Sequence, residues 1–173
     1  MAVQIPKYAK LENERRFLVT ECPDLSAARS RLIEDLYISE GRLRLRTVIQ
    51  ADGARAFKLC KKYHSADPAS GPIVNIYLSA SEHAVLSRLP GRALRKRRHD
   101  LVWRQNTLAV DVFEGPLAGL VLCEAEAETA EAIGRVAFPP WAALEVTADA
   151  FFSGGNLARL TAAALHSRLS SAR

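Results

Sequence analysis

Charged and apolar residues alternate along the segment Leu11–Val19. Glu12, Glu14 and Arg16 occupy every second position, whereas Phe17 and Val19 have the opposite parity. Successive side chains of a β-strand point to opposite faces, so this spacing predicts a strand with one charged and one apolar face. A single strand of this kind is typical of an exposed sheet edge, so its meaning depends on whether the pattern recurs.

The alternation does recur, with basic charges in two later segments and acidic charges in a third. Tyr37–Val48 carries Arg42, Arg44 and Arg46, Leu94–Val102 carries Lys96 and Arg98, and Leu120–Glu128 carries Glu124, Glu126 and Glu128. Each segment is predicted to be a strand with one charged face. Several charged faces in one small protein need a shared explanation.

Further strands complete the predicted sheet. Asp52-Gly53 is a two-residue turn signal that joins Tyr37–Val48 to a partner strand over Ala54–Tyr63. Shorter strands are predicted over three more segments, Ile73–Leu78, Thr107–Phe113 and Leu144–Val146.

Four segments have helical spacing instead. In Ala27–Leu36 the residues Ala28, Leu32, Ile33 and Leu36 predict a short amphipathic helix, with Glu34 and Asp35 on its solvated face. The other predicted helices are Ser79–Leu89 with Ser81 as its cap, Thr129–Gly134, and a C-terminal helix over Gly155–Leu169.

Many short strands with a few helices predict an α+β fold built on an antiparallel sheet. A chain of 173 residues is expected to form a single domain, residues 1–173. The charged strand faces must reach water, either on an open sheet or inside a wet channel if the sheet closes into a barrel.

The amino-acid composition excludes few classes of binding partner. The net charge of +5 favours anionic partners, which leaves nucleic acid, phosphate compounds and acidic proteins open. Cys22, Cys60 and Cys123 have no metal-ligand spacing, so reduced thiols and a cytoplasmic location are expected. The N-terminus has no signal-peptide pattern and no segment is apolar enough to span a membrane, so no membrane partner is expected.

Closure of the sheet would place carboxylates opposite guanidinium groups. Glu12 and Glu14 would then face Arg44 and Arg46. Opposed rows of this kind suit one class of ligand, because basic side chains bind polyphosphate oxygens and carboxylates bind a hard divalent cation.

The ordered motifs resemble the CYTH family, the triphosphate tunnel metalloenzymes, which include thiamine triphosphatases, inorganic triphosphatases and class IV adenylyl cyclases. The resemblance covers nearly the whole chain. It is carried by Glu12-Asn-Glu-Arg-Arg16, Leu43-Arg-Leu-Arg46, Phe57-Lys58, the pair Lys96 and Arg98, Val110-Asp-Val-Phe-Glu-Gly115, Ala118-Gly-Leu-Val-Leu-Cys-Glu-Ala-Glu126, Leu144-Glu-Val-Thr-Ala-Asp149 and Asn156-Leu157.

The resemblance implies an eight-stranded antiparallel closed β-barrel around a triphosphate tunnel, with a few flanking helices. It also implies residue roles. Substrate phosphates would be bound by Arg44, Arg46, Lys58, Lys96 and Arg98. Mg²⁺ or Mn²⁺ would be held by Glu12, Glu14, Asp111, Glu124 and Glu126. The residues implied in catalysis are Glu14, Glu126 and Arg16. Arg42 and Lys62 share the tunnel parity but are at least as well explained as solvated charges near the rim.

Three positions depart from the family pattern. Arg16 replaces a frequent lysine, and because arginine does not give up its proton, a role that needs a neutral amine is excluded there. Asn75 and Val112 stand where acids are frequent. The predicted site therefore has five acids against six bases, counting Arg16.

The expected function is metal-dependent hydrolysis of a terminal phosphoanhydride, with inorganic triphosphate preferred and nucleoside or thiamine triphosphate next. One alternative is a non-catalytic module that binds polyphosphate or a phosphorylated ligand, which the missing acids would favour. Class IV adenylyl cyclase activity is another alternative. Nucleic-acid binding is not expected, and an oligomer is possible.

Overall fold

The computed structural model describes residues 5–170, which form nine strands, four α-helices and two short 3₁₀ helices. The strands are β1 (Lys10–Val19), β2 (Arg29–Ile38), β3 (Leu43–Gln50), β4 (Arg55–Lys62), β5 (Ser70–Leu78), β6 (Gly91–Trp103), β7 (Asn106–Phe113), β8 (Val121–Ala127) and β9 (Ala142–Glu145). The α-helices are α1 (Ala80–Leu86), α2 (Ala130–Gly134), α3 (Gly154–Leu157) and α4 (Ala162–Ser170). None of the helices in this part of the chain is long and apolar enough to cross a membrane.

Eight of the strands close into an antiparallel barrel. Their order is β5-β4-β3-β2-β6-β7-β8-β1, and β1 returns to pair with β5. The closing ladder is short, because only Lys10–Asn13 of β1 pairs with β5, while Phe17–Val19 on the same edge pairs with β9. The predicted eight-stranded closed barrel of α+β type is therefore confirmed, with β9 as a ninth strand outside it.

The helix predicted over Ala27–Leu36 is wrong, because most of this segment belongs to β2. This strand lies between β3 and β6 and is hydrogen-bonded along both edges. Apolar residues occur on both of its faces, with Leu32 and Leu36 on one side and Ile33 on the other, so their spacing imitates a helical stripe. Asp35 is correspondingly buried instead of solvated.

Other predicted boundaries also shift. The strand predicted over Tyr37–Val48 is divided by a turn between β2 and β3, in which Glu40 has a φ of 58°. Helix α1 is capped by Ser79 instead of Ser81, and Ser79 forms a capping box with Glu82. The predicted C-terminal helix is divided into α3 and α4. The single-domain prediction includes residues 1–4 and 171–173, which lie outside the described residues.

Two apolar clusters support the barrel, one on the inner face of its strands, where it borders the charged cavity, and one on the outer face. One packs β1, β7 and β8 against the segment after β9, through Leu18, Phe113, Leu122, Phe152 and Leu157. The other packs the opposite face of the same strands against α2. Burying a side chain such as Phe152 contributes about 1.5–3 kcal/mol. This packing anchors residues 146–157, the closing segment, against the barrel.

Candidate functional site

The barrel encloses a cavity of about 950 Å³ with a strongly charged lining. The lining comes from seven strands (β1–β4 and β6–β8), from the β2–β3 turn, from Pro68 and from residues 147–159. Six acidic and nine basic side chains contribute to it. The acids are Glu12, Glu14, Glu40, Glu124, Glu126 and Asp149, and the bases are Arg16, Arg42, Arg44, Arg46, Lys62, Arg92, Lys96, Arg98 and Arg159.

Three carboxylates form an acid cluster in this cavity. Glu12, Glu14 and Glu126 each place one carboxylate oxygen within 4.8 Å of the other two. The pairing of β1 with β8 causes this proximity, because Glu14 lies directly opposite Glu126 in the register. Burial, together with the negative charges of Glu12 and Glu124, raises the pKa of Glu126.

Lys62 is one of two basic residues that contact this acid cluster. Its Nζ contacts Glu12 Oε2 and lies 3.2 Å from Glu14 Oε1. Burial opposes the charged form, but Glu14 and Glu12 outweigh it and raise the pKa of Lys62. The acid cluster is therefore only partly neutralised by the chain itself.

Arg16 connects the acid cluster to the deeper wall of the cavity. Its Nη2 donates to Glu14 Oε1 at 2.9 Å and its Nε donates to Glu124 Oε1 at 3.1 Å. Its Nη1 donates to the carbonyl oxygen of Phe152 at 3.2 Å. Arg16 thus ties two acids of the cavity to the closing segment.

A buried ion network forms one wall of the cavity. Arg98 donates from Nε and Nη2 to the two carboxylate oxygens of Asp111, both at 2.7 Å, and Lys96 Nζ contacts the same carboxylate. Arg98 also contacts Glu124. Burial opposes the charged form of Glu124, but Arg98, Lys96 and Arg16 outweigh it and hold the pKa of Glu124 well below its ordinary value.

The other basic pair lies on β3, which is separated from β6 by β2 alone. Arg46 donates from Nε and Nη2 to the two carboxylate oxygens of Asp35, at 2.7 and 2.8 Å. Arg44 Nε lies 3.8 Å from Asp35 Oδ1 and has no hydrogen-bond partner among residues 5–170. Burial raises the pKa of the neighbouring Tyr37.

Most of the residues expected at the site meet in this cavity. Nine of them line it: Glu12, Glu14, Arg16, Arg44, Arg46, Lys96, Arg98, Glu124 and Glu126. Asp111 lies behind the lining, with no exposed side-chain surface. Lys58 is not part of the lining, and its Nζ is 4.8 Å from the centre of the Tyr77 ring.

Seven charged residues in or behind the lining were missed or left open by the sequence. Glu40 and Asp149 were assigned no role, and Arg42 was left open as a solvated charge near the rim. Asp35 was hidden by the helix prediction, and Arg92 and Arg159 gave no distinguishing signal. Lys62 has the same parity as Lys58. Only the register of β4 against β5, together with that of β5 against β1, could identify which of the two lysines reaches the acids.

The acid cluster fits a divalent metal ion by its chemistry. Three carboxylates that can converge on one point provide the hard oxygen ligands that Mg²⁺ and Mn²⁺ prefer. Glu124 and Asp111 are instead bound by basic side chains of the chain itself.

Comparison with known proteins finds similarity in three-dimensional structure, which supports the family resemblance that the sequence motifs indicate. No family model and no curated protein matches the sequence. Two solved structures of the inorganic triphosphatase NE1496 match this chain with 25% sequence identity. The first has a TM-score of 0.58, and the match covers 85% of this chain and 93% of that structure. The second has a TM-score of 0.60, and the match covers 87% of this chain and 99% of that structure.

A third match is a candidate adenylate cyclase from Bacillus halodurans. It has 15% identity and a TM-score of 0.52, covers 74% of this chain and 86% of its own length, and so supports the fold alone. These neighbours are CYTH-type triphosphate tunnel proteins, and the resemblance drawn from the motifs is confirmed.

Proposed function

We propose that the chain hydrolyses the terminal phosphoanhydride bond of a triphosphate in a reaction that depends on Mg²⁺ or Mn²⁺. The observation that carries this proposal is the meeting of the acid cluster and two basic pairs in one cavity of about 950 Å³. The structural similarity of this chain to the inorganic triphosphatase NE1496 also supports triphosphate hydrolysis.

The two basic pairs are suited to bind the phosphate chain. Arg44 and Arg46 approach the cavity from β3, and Lys96 and Arg98 approach it from β6. Guanidinium groups bind phosphate oxygens in a planar, bidentate manner, and these interactions strengthen where water is excluded. Lys96 and Arg98 are buried, so a phosphate at this wall would exchange its hydration shell for fixed donors.

Glu12, Glu14 and Glu126 would hold the metal ion. Such an ion neutralises charge on the phosphate oxygens and orients the reacting groups when it is bound. In this proposal Glu14 and Glu126 are the acids on which turnover depends most, because they lie opposite each other on β1 and β8.

Arg16 has a positioning role in this scheme. Its guanidinium is shared among Glu14, Glu124 and the Phe152 carbonyl, and it does not act as a base because it keeps its proton. Arg16 therefore fixes the direction of two carboxylates that border the cavity.

Inorganic triphosphate is the preferred substrate in this proposal, with nucleoside or thiamine triphosphate next. The charged lining can recognise a phosphate chain. The aromatic residues of the described lining are Tyr37, Phe113 and Phe152. The two phenylalanines are almost fully buried and offer no open face for stacking a base or a thiazole ring, and the partly buried Tyr37 packs against Gly154.

Phosphate release tests the proposal directly. Tripolyphosphate, ATP and thiamine triphosphate are each incubated with Mg²⁺, with Mn²⁺ and with EDTA. We expect metal-dependent release, fastest from tripolyphosphate. Release from none of the three substrates, together with calorimetric binding of tripolyphosphate in EDTA, would contradict hydrolysis.

A non-catalytic polyphosphate-binding module is the second candidate. Asn75 and Val112 replace acids that are frequent in the family, which favours this alternative. Such a module would bind tripolyphosphate without a divalent cation and release no phosphate. Cyclase activity would instead yield cyclic AMP and pyrophosphate from ATP, so product analysis in the same assay separates it from hydrolysis.

A further inference from the structure

Asp35 is a buried carboxylate on the inner side of β2, and the proposed hydrolysis assigns it no part. Its side chain has no exposed surface. Both of its carboxylate oxygens accept hydrogen bonds from Arg46, and the charge of Arg44 lies 3.8 Å away. A buried carboxylate is strongly disfavoured unless it is paired, so these arginines are what allow Asp35 to be charged here.

The register explains why this contact is specific. Asp35 lies directly opposite Arg46 in the β2–β3 ladder, and Tyr37 lies directly opposite Arg44. Arg46 uses its Nε and Nη2 on Asp35, which fixes the plane of its guanidinium group and leaves Nη1 uncommitted to this carboxylate. Asp35 thereby determines which donor of Arg46 remains for a ligand.

Asp111 has the same relation to the other basic pair. It is also fully buried and binds Arg98 through both carboxylate oxygens while contacting Lys96. Each basic pair of the cavity is thus backed by one buried aspartate on a neighbouring strand, Asp35 on β2 and Asp111 on β7.

These two aspartates change the charge balance of the inner site. The six inner bases are Arg16, Arg44, Arg46, Lys62, Lys96 and Arg98. Six acids accompany them: Glu12, Glu14, Asp35, Asp111, Glu124 and Glu126. The formal charge of this set is therefore zero, and the other charged residues of the lining, Glu40, Asp149, Arg42, Arg92 and Arg159, add only one positive charge.

We propose that Asp35 is a positioning residue that orients Arg46 and Arg44 and cancels part of their charge, so that the site selects a metal-bound triphosphate over the free anion. A neutral site gains little from a bare polyanion, whereas a divalent cation removes two of its negative charges and binds the acid cluster as well. The inference rests on the proposed binding of triphosphate in this cavity.

The test compares Asp35→Asn with Glu34→Gln. The two substitutions remove one negative charge each from neighbouring positions of β2, but Glu34 faces the outside of the barrel, where it pairs with Arg95. Binding of tripolyphosphate is measured by calorimetry, once with EDTA and once with Mg²⁺. The ratio of the two dissociation constants is the readout, because a purely structural defect would not change it in a defined direction.

For Asp35→Asn we expect tripolyphosphate to bind about tenfold more tightly in EDTA, because the substitution removes one nearby negative charge that repels the anion. The preference for the Mg²⁺ complex should shrink by the same factor. The turnover number should fall about tenfold because Arg46 loses its fixed orientation. Glu34→Gln should keep the wild-type ratio within twofold.

A second variant keeps the test valid if Asp35→Asn does not fold. The double substitution Asp35→Asn/Arg46→Gln replaces the ion pair by two neutral amides and leaves the charge of the site at zero. We expect it to retain the wild-type preference for the Mg²⁺ complex but to have a lower turnover number. A preference shifted toward the free anion would overturn the proposed charge compensation.

The outcomes separate this inference from the function on which it rests. If the wild-type chain binds tripolyphosphate in neither condition, the triphosphate function fails and the inference fails with it. If the wild-type chain binds but Asp35→Asn has the same ratio as Glu34→Gln, the function stands and the inference is overturned.

Discussion

The basic walls and the acid cluster of the cavity are built in opposite ways. Lys96 and Arg98 are buried, and each contacts Asp111, which itself has no exposed side-chain surface. The acid cluster is more open, and Glu126 has no ion-pair partner among the described residues. The chain compensates its phosphate-facing bases but leaves part of its acid cluster uncompensated.

This difference indicates how the work of the site is divided. Side chains that are already paired before a ligand binds keep a fixed geometry, which allows them to orient the ligand. Carboxylates that repel one another are stabilised when a cation joins them, which favours metal binding. The comparison therefore predicts that changes in the basic walls affect folding most, while changes in the acid cluster affect activity most.

The largest expected loss of stability follows from Asp111→Asn. This change leaves Lys96 and Arg98 buried with too little negative charge, and breaking such a buried pair costs about 3–5 kcal/mol. The free energy of unfolding, measured with urea, should fall by this amount. Asp100→Asn is the matched control, because Asp100 pairs with Arg31 on the same barrel near solvent and should cost less than about 1 kcal/mol. Equal losses of stability in the two variants would contradict the difference between the buried Asp111 network and the more exposed Asp100–Arg31 pair.

The largest expected loss of activity follows from Glu14→Gln or Glu126→Gln. Each change removes one of the three carboxylates proposed to hold the metal ion, and phosphate release with Mg²⁺ or Mn²⁺ should fall at least about 100-fold. Folding should be retained. Glu128→Gln is the control, since Glu128 lies after β8 and does not line the cavity. Metal-dependent turnover that survives in both cluster variants would show that the metal is held elsewhere.

The strand pattern left an open sheet and a closed barrel as alternatives, and the resemblance to the CYTH family predicted the barrel but not every wall of the cavity. Alternating charge on β1, β3, β6 and β8 marks inward-facing positions, and these strands carry most of the expected site residues. No such signal exists on β2, because its apolar residues occupy both faces and imitate a helix. Asp35 could therefore not be recognised as an inner residue.

Lys58 and Lys62 illustrate a second limit of the sequence. Their equal parity places both on one face of β4, and a two-residue period carries no information about depth along the barrel. Depth depends on the register between strands that are distant in sequence. Here the short β1–β5 ladder brings Glu12 close to Lys62. Single-sequence patterns do not contain such a register.

An intermediate effect is expected at the closing segment, where Gly154 packs against Tyr37. A Cβ added at Gly154 would lie 1.8 Å from the Tyr37 hydroxyl oxygen, so Gly154→Ala must displace a ring that borders the cavity. We expect a loss of about 1–3 kcal/mol in the free energy of unfolding. At Gly155 the added Cβ would make only ordinary contact, at 3.7 Å, so Gly155→Ala is the control. The double variant Gly154→Ala/Tyr37→Phe should recover part of the loss, and no recovery would place the strain elsewhere.

The pH dependence of stability should have opposite signs in the two regions. Burial works against ionised Asp35, but Arg46 and Arg44 outweigh it and lower the pKa of Asp35 below its ordinary value. Ionised Asp35 therefore stabilises the fold above a pH of about 3.9, and this contribution is lost as the pH falls through the lowered pKa. Asp35→Asn should thus lower stability at neutral pH, and the difference from the wild type should narrow in stronger acid.

Glu126 should behave in the opposite way, because burial and the charge of Glu12 raise its pKa. Its contribution favours the fold below a pH of about 4.3 and is lost as the pH rises through the raised pKa, so Glu126→Gln should stabilise the metal-free chain at neutral pH. This gain should vanish in acid. Urea denaturation in EDTA at neutral and acid pH measures both variants. If Glu126→Gln lowers stability at neutral pH, the acid cluster is compensated by the chain after all, and the contrast between the two regions does not hold.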